Sequence, residues 1–287
     1  MNAGAQVLGR WIGVRVSGAV AAWFLQAVAR CREGIAERDL YLLLSLIGRK
    51  VPKDALALSS TELEEAWSAR NGWDPRDWTL DQAARIHLLC MSTSDGALMR
   101  ERLDRLCSAA DVGELVAFYR GLPLYPDAPQ YVLRAAEGVR SNMRVVFEAV
   151  AHRNPYPSEQ LPEAAWNQLV LKALFVGSPL APIVGLDERR NATLARMLCD
   201  YAHERWAASR PVSPELWRCV GPFAAGAMLD DLQRLLEHGT VEERNAATLA
   251  LRESSDAGAK RMLQAYGGTT ESRDIKGLWE RLASLPI

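Results

Sequence analysis

Gln130 to His152 reads QYVLRAAEGVRSNMRVVFEAVAH, a stretch with no internal proline. At about 100° per residue, Leu133, Ala136, Val139, Met143, Val146, Phe147 and Val150 gather on one apolar arc, the pattern of a helix laid against a core. Arg140 falls inside that arc, between Leu133 and Phe147, while Glu137, Arg144 and Glu148 line its edge at spacings that permit pairing. Two later segments repeat the pattern. In Glu163 to Val176 the arc is Trp166, Val170, Leu171 and Leu174, with Asn167 near its middle. In Ala192 to Ser209 the stripe is Leu194, Met197, Leu198 and Tyr201, with Arg205 among them and Asp200, His203 and Glu204 opposite.

A buried unpaired charge costs several kcal/mol, and a buried carboxamide without hydrogen bonds about 1–3 kcal/mol. Arg140, Asn167 and Arg205 therefore imply one of three arrangements. Either they meet carboxylates of neighbouring helices in a structural network, or they face a polar pocket between the central helices, or their polar ends snorkel out to solvent. In the second arrangement Arg140, Asn142, Asn167, Asp200, His203 and Arg205 line or support a site for an anionic or oxygen-rich ligand.

The rest of the chain is helical in the same way. Apolar periodicity runs from Val14 to Gly48 with a break near Gly34 to Arg38. Ser60 or Thr61 with Glu64 or Glu65 starts a short helix, Thr79 with Asp81 and Gln82 another, and Asp95 and Asp111 two more. Arg85 and His87 read as surface or rim residues of the Thr79 helix. Beyond Gly221 come short pieces, Phe223 to His238, Val241 to Arg252, Ala257 to Tyr266 and Glu271 to Leu285, which resemble HEAT-type helix pairs without a clean period. No stretch alternates as a strand would. The expected fold is all-α: a single domain over 1–287, an irregular, right-handed helical array with N-terminal helices (1–124), a central block (125–223) and short helix pairs (224–287).

With 34 basic and 35 acidic residues in 287, the net charge of −1 gives no bulk electrostatic attraction to nucleic acid or an anionic membrane. Five cysteines, odd in number and without a CxxC pair, point to reduced thiols in the cytoplasm. Val16 to Ala29 carries no charge but is too short to span a bilayer, and reads as a buried first helix. Asn191-Ala192-Thr193 reads as a helix start capped by Asn191 rather than a glycosylation site.

Nucleotide-binding, serine-hydrolase and zincin motifs (GxxxxGK[ST], GxGxxG, GxSxG, HExxH) are absent. Asp200 with His203, and Glu148 with His152, only approximate the Glu-x-x-His pairs of helix-bundle metal sites, and too few carboxylates accompany them for a metal; neither metal nor cofactor is expected. Three of the nine tryptophans, Trp166, Trp206 and Trp217, lie near the anomalous positions, as ligand walls or as ordinary core. His203 could carry a proton near neutral pH, but no nucleophile accompanies it.

Specific stretches then place the chain beside a known family. They are Gly72-Trp73-Asp74-Pro75 with Trp78-Thr79-Leu80-Asp81-Gln82-Ala83-Ala84-Arg85, and Arg134-Ala135-Ala136-Glu137-Gly138-Val139-Arg140-Ser141-Asn142-Met143. Asn154-Pro155-Tyr156-Pro157, Ala165-Trp166-Asn167-Gln168-Leu169 and Asp200-Tyr201-Ala202-His203-Glu204-Arg205-Trp206 continue them. Over roughly residues 70 to 223 the chain resembles the EboA family. That resemblance implies a bacterial protein from a small gene cluster associated with moving specialised metabolites out of the cytosol, with a prenyltransferase-like membrane protein among the cluster's products. It fixes no catalytic residue. The resulting expectation is a non-enzymatic cytoplasmic protein that traffics or holds a small metabolite. A helical scaffold for other cluster proteins, presented by residues 224–287, is the first alternative, and an enzyme using His203 the second.

Overall fold

The computed structural model describes residues 2–266 and 275–283. Every regular element among them is helical, and an isolated antiparallel bridge joins Ala55 to Thr79. The chain divides into two compact units, Met1–Pro162 and Glu163–Ile287, a boundary that falls inside the 125–223 block.

Unit 1 contains α1 (Ala3–Arg15), α2 (Gly18–Arg32), α3 (Glu37–Lys50), α4 (Ser60–Ala69), α5 (Leu80–Ser92), α6 (Gly96–Ala109), α7 (Val112–Arg120), α8 (Val132–Arg140), α9 (Arg144–Ala151) and α10 (Tyr156–Gln160). Helix α5 lies at its centre, packed against α1, α2, α3 and α7. Thr79 and Gln82 close its N-terminus as a capping box, as their spacing predicts. Arg85 and His87, expected at the surface, are 5% and 4% exposed. An apolar environment tolerates them because each has a partner. Arg85 Nη1 donates to Asp81 Oδ2 at 2.6 Å, one turn earlier, with Glu114 4.0 Å from its Nε; Thr79 Oγ1 donates to the other Asp81 oxygen at 2.5 Å.

The N-terminal helices also differ from expectation. The Val14–Gly48 region starts earlier, at Ala3, and breaks at Val16 and Ser17 as well as near Gly34. Its uncharged stretch is the second helix, α2, only half covered: Phe24, Ala27, Val28 and Cys31 are buried but Leu25 is 69% exposed.

The motif tryptophans form a cluster with Trp11: Trp73 stacks on Trp11 at 5.7 Å and meets Trp78 edge-on at 5.7 Å. Asn154 Nδ2 donates to the carbonyls of Tyr119 and Ala149, each at 3.2 Å, and its Oδ1 accepts from Tyr156 N at 3.0 Å. That bonding turns the chain sharply after α9, and explains why Asn precedes Pro-Tyr-Pro.

The stretch Gln130 to His152 is not one helix. It is a 3-10 turn, α8, an irregular Ser141–Met143 and α9. The buried face of α8 is Ala135, Gly138 and Val139, and Leu133 is 80% exposed. Close approach is the reason: a Cβ on Gly138 would stand 2.6 Å from Val150 Cγ2 and 2.8 Å from Tyr119 Cε1, so the small residues, not the large ones, face the core. Arg140 therefore points to solvent, as does Asn142.

Unit 2 contains α11 (Glu163–Phe175), α12 (Ala192–Ala207), α13 (Leu216–Val220), α14 (Ala227–His238), α15 (Val241–Glu253), α16 (Ala257–Ala265) and α17 (Ile275–Ala283). The short C-terminal helices pack around α15, which touches α13, α14, α16 and α17; they form a hub rather than a row of stacked pairs. Of the segment Glu271 to Leu285, residues 271–274 and 284–285 lie outside the described residues. Arg218, buried on α13, donates from Nε and Nη2 to both oxygens of Asp187 at 2.8 and 2.7 Å, and Glu215 accepts the Leu180 and Ala181 amides at 3.0 and 2.9 Å.

Because α5 holds a charge pair in a nearly dry environment, Asp81→Ala leaves Arg85 without its carboxylate and lowers unfolding free energy by about 3 kcal/mol in urea titration. Arg140→Ala, at a solvated position, changes it by less than about 0.5 kcal/mol.

Candidate functional site

The side chains singled out in the sequence do not share one buried seam. Arg140 and Asn142 are exposed in unit 1, and Asp200 is exposed on α12 of unit 2. Asn167 is buried, 2% exposed, and its amide is fully engaged: its Nδ2 donates to Asn191 Oδ1 at 3.2 Å, and Asn191 Nδ2 donates back at 2.8 Å. Asn191 Oδ1 also accepts from Leu194 N at 2.8 Å, so Asn167 holds the residue that caps α12. Exposed His203 pairs with Asp231 at 2.7 Å. Arg205, half-buried, donates from Nε and Nη2 to the Pro211 carbonyl at 3.0 and 2.9 Å, meeting a backbone oxygen rather than a carboxylate. Trp206 stacks on Trp217 at 5.9 Å and has Arg234 over its ring at 4.4 Å, and Arg189 lies 4.9 Å from the Trp166 ring. These tryptophans are packed core and cation–π partners within unit 2.

Two motif residues of unit 1, Asp74 and Trp78, help to line a small polar cavity of about 120 Å³, together with Asp77, Arg120, Glu148, His152 and Arg153. At about 30 Å³ per water it has room for a few water molecules rather than a metabolite. Its charges have protein partners: Asp74 accepts from Arg76 at 2.7 Å, Arg153 pairs with Asp77, and Arg144 donates to Glu148 at 2.7 Å. Arg120 donates to the Asp77 carbonyl at 2.8 Å and to Gln82 Oε1 at 2.5 Å; burial pushes its pKa below the usual guanidinium value. Among the described residues no group of three His, Cys, Asp or Glu is placed to hold a metal ion.

Another site lies where α1, α2 and α5 meet. A cavity of about 410 Å³ opens there, with Gly9 and Gly13 of α1 on one side, Phe24, Leu25 and Val28 of α2 on the other and His87 of α5 in its wall; Gln6, Arg10 and Arg32 stand at its exposed rim. Glycine at i and i+4 strips one strip of α1 to backbone. At Gly13 a Cβ would meet nothing within 4 Å; at Gly9 it would stand 2.5 Å from His87 Cε1 and 3.0 Å from Nε2. His87 therefore rests on the bare backbone of Gly9, with Nδ1 3.0 Å from the Ala5 carbonyl oxygen and its ring 5.9 Å from Phe24. Burial, the larger cause, and the Arg32 charge push its pKa down from 6.5 to about 4, against the opposing hydrogen bond to Ala5. Arg32 also borders a second cavity of about 530 Å³, which Ala5, Cys31, Cys90, Ser92 and Thr93 help to line.

None of these cavity residues was singled out as a site in the sequence. The available signal was the pair of glycines inside a helix, each costing about 1 kcal/mol relative to alanine, beside an uncharged helix. All five cysteines are free. Burial raises the Cys31 pKa to about 11 and those of Cys90, Cys107, Cys199 and Cys219 to about 12, so none is an activated thiolate.

Fold and site together describe an all-helical protein with a largely apolar cavity in a helix seam, and no helix among the described residues is long and apolar enough to cross a membrane. The chain belongs to the EboA family: the family model, described as metabolite traffic protein EboA, matches residues 5–221. The match takes in α1 from its third residue, α2, α3 and the later stretch as far as residue 221, and so includes every residue lining the cavity. No curated protein and no solved structure matches the chain.

The neutral, buried state of His87 gives a pH signature. Below 6.5 the unfolded chain takes up a proton at this residue that the folded chain refuses until about pH 4. Its contribution to stability is complete above pH 6.5 and falls by about 3 kcal/mol as pH drops to about 4. Urea unfolding at pH 7 and pH 4.5 measures this loss, and in His87→Leu it is absent.

Proposed function

We propose that the chain takes part in metabolite traffic as a binding protein, holding a small, largely apolar metabolite in the α1/α2/α5 cavity and passing it on chemically unchanged. The observation that carries this reading is the cavity of about 410 Å³, inside the span matched by the family and kept open by helix-interior glycines at a cost in helix stability. Its size is that of small-molecule pockets, which combine apolar walls with few polar groups. The wall contains no serine, threonine, cysteine or carboxylate, so His87 has no nucleophile to activate there. Free cysteines support a reducing, cytoplasmic setting. The six polar positions marked in the sequence have protein partners or face solvent, and in this reading they serve the architecture rather than the ligand.

Gly13→Leu tests the reading, because position 13 lines the cavity and a Cβ there meets nothing within 4 Å. Helix propensity raises stability by about 0.5–1 kcal/mol, while saturable binding of an environment-sensitive apolar dye weakens at least about tenfold. Dye binding that is absent from the wild type, or unchanged in Gly13→Leu, overturns it.

A further inference from the structure

We infer that the metabolite held in this cavity carries a hydroxyl or N–H group that donates a hydrogen bond to His87 Nε2, so that the site selects apolar molecules with a donor over their alkylated counterparts. The inference rests on the binding function proposed above and specifies its ligand.

The tautomer of His87 follows from its partner. Nδ1 lies 3.0 Å from the Ala5 carbonyl oxygen. A carbonyl oxygen can only accept, so Nδ1 carries the proton and donates. A neutral imidazole has one N–H, which leaves Nε2 as a lone pair. Burial beside Arg32 keeps the ring neutral at physiological pH, so the lone pair is not consumed by a second proton.

Nε2 has no hydrogen-bond partner among the described residues. His87 is over nine-tenths buried yet lines the cavity, and Nε2 sits beside Gly9, another wall residue, 3.0 Å from the place a Cβ would occupy. Any side chain at position 9 would collide with the ring, and glycine lets the imidazole take this place in the wall. An acceptor in largely apolar surroundings that no protein donor meets is disfavoured, and here the ring that carries it lines a space of small-molecule size.

The remaining walls sharpen the chemistry. Phe24, Leu25, Val28 and the glycine strip suit an apolar body. The cationic groups are at the rim, where Arg10 is paired with Glu65 and Arg32 is exposed. An uncharged ligand with a donor thus satisfies the polar nitrogen that its surroundings leave unsatisfied. Sites built around one hydrogen bond discriminate strongly against analogues that lack it, because the buried partner is then left unpaired.

The test uses the full chain with 2-naphthol and 2-methoxynaphthalene, which share an apolar body and differ in the donor. Binding is followed by calorimetry and tryptophan fluorescence. The expected result is that 2-naphthol binds at least about tenfold more tightly, and that in His87→Phe the ratio of the two affinities falls to about one. Nitrogen-15 NMR of the imidazole gives a reading that needs no variant: Nδ1 protonated and Nε2 bare in the free protein, with the Nε2 resonance moving on addition of 2-naphthol but not of its ether. Equal affinities in the wild type, or a protonated Nε2, overturn the inference and leave apolar binding standing. Failure of both probes to bind overturns the binding proposal as well.

Discussion

A helix covered on every side has to satisfy each of its polar groups internally, and unit 1 is arranged around α5, which is covered in this way. Its two cationic or titratable side chains answer that constraint differently. Arg85 keeps its charge and takes Asp81 from the previous turn, with Glu114 close by. His87 gives up its charge and donates to a backbone carbonyl of α1. The first solution closes the interior on the side of α7. The second leaves one lone pair over, on the side where α1 has glycines instead of side chains, and the candidate site grows from that remainder.

Most of the family-specific residues serve a different purpose. Trp73 stacks on Trp11 and meets Trp78 edge-on, Asn154 binds two carbonyls and an amide at a tight turn, and Asn167 clamps the cap of α12. Arg134 joins α8 to Asp104 of α6 at 2.7 Å. These positions look chemical in sequence because they are polar or aromatic within apolar segments. They are better understood as the hydrogen-bonding and stacking needed where short helices meet at irregular angles and leave backbone groups without helical partners.

The helical projection misled in an instructive way. It presumes that an apolar arc faces the core and that a helix continues until a proline or glycine pair stops it. In α8 the core face is the one with the least volume, because α9 and Tyr119 approach too closely for anything larger than Gly138, and Leu133 is left outside. The helix then ends at Arg140 without a proline, so the phase assumed for the rest of the stretch is lost. In α12, by contrast, Leu194 and Leu198 are buried as projected, because the cap at Asn191 and an uninterrupted run keep the phase.

The sequence alone determined the all-α class, the caps at Thr79, Asp95, Asp111 and Asn191, and the family, since these depend on local periodicity, side chains bonding to nearby backbone, and long specific motifs. Only the tertiary structure decided which polar residues are buried and where the cavity lies. Burial of Arg85 and His87 depends on α1, α2, α3 and α7 closing around α5, and the cavity on two glycines of α1 facing a helix that follows them across a turn. Neither arrangement is encoded in the spacing within any one segment, because it arises from how separate helices approach, which residue size permits and no single-helix periodicity specifies.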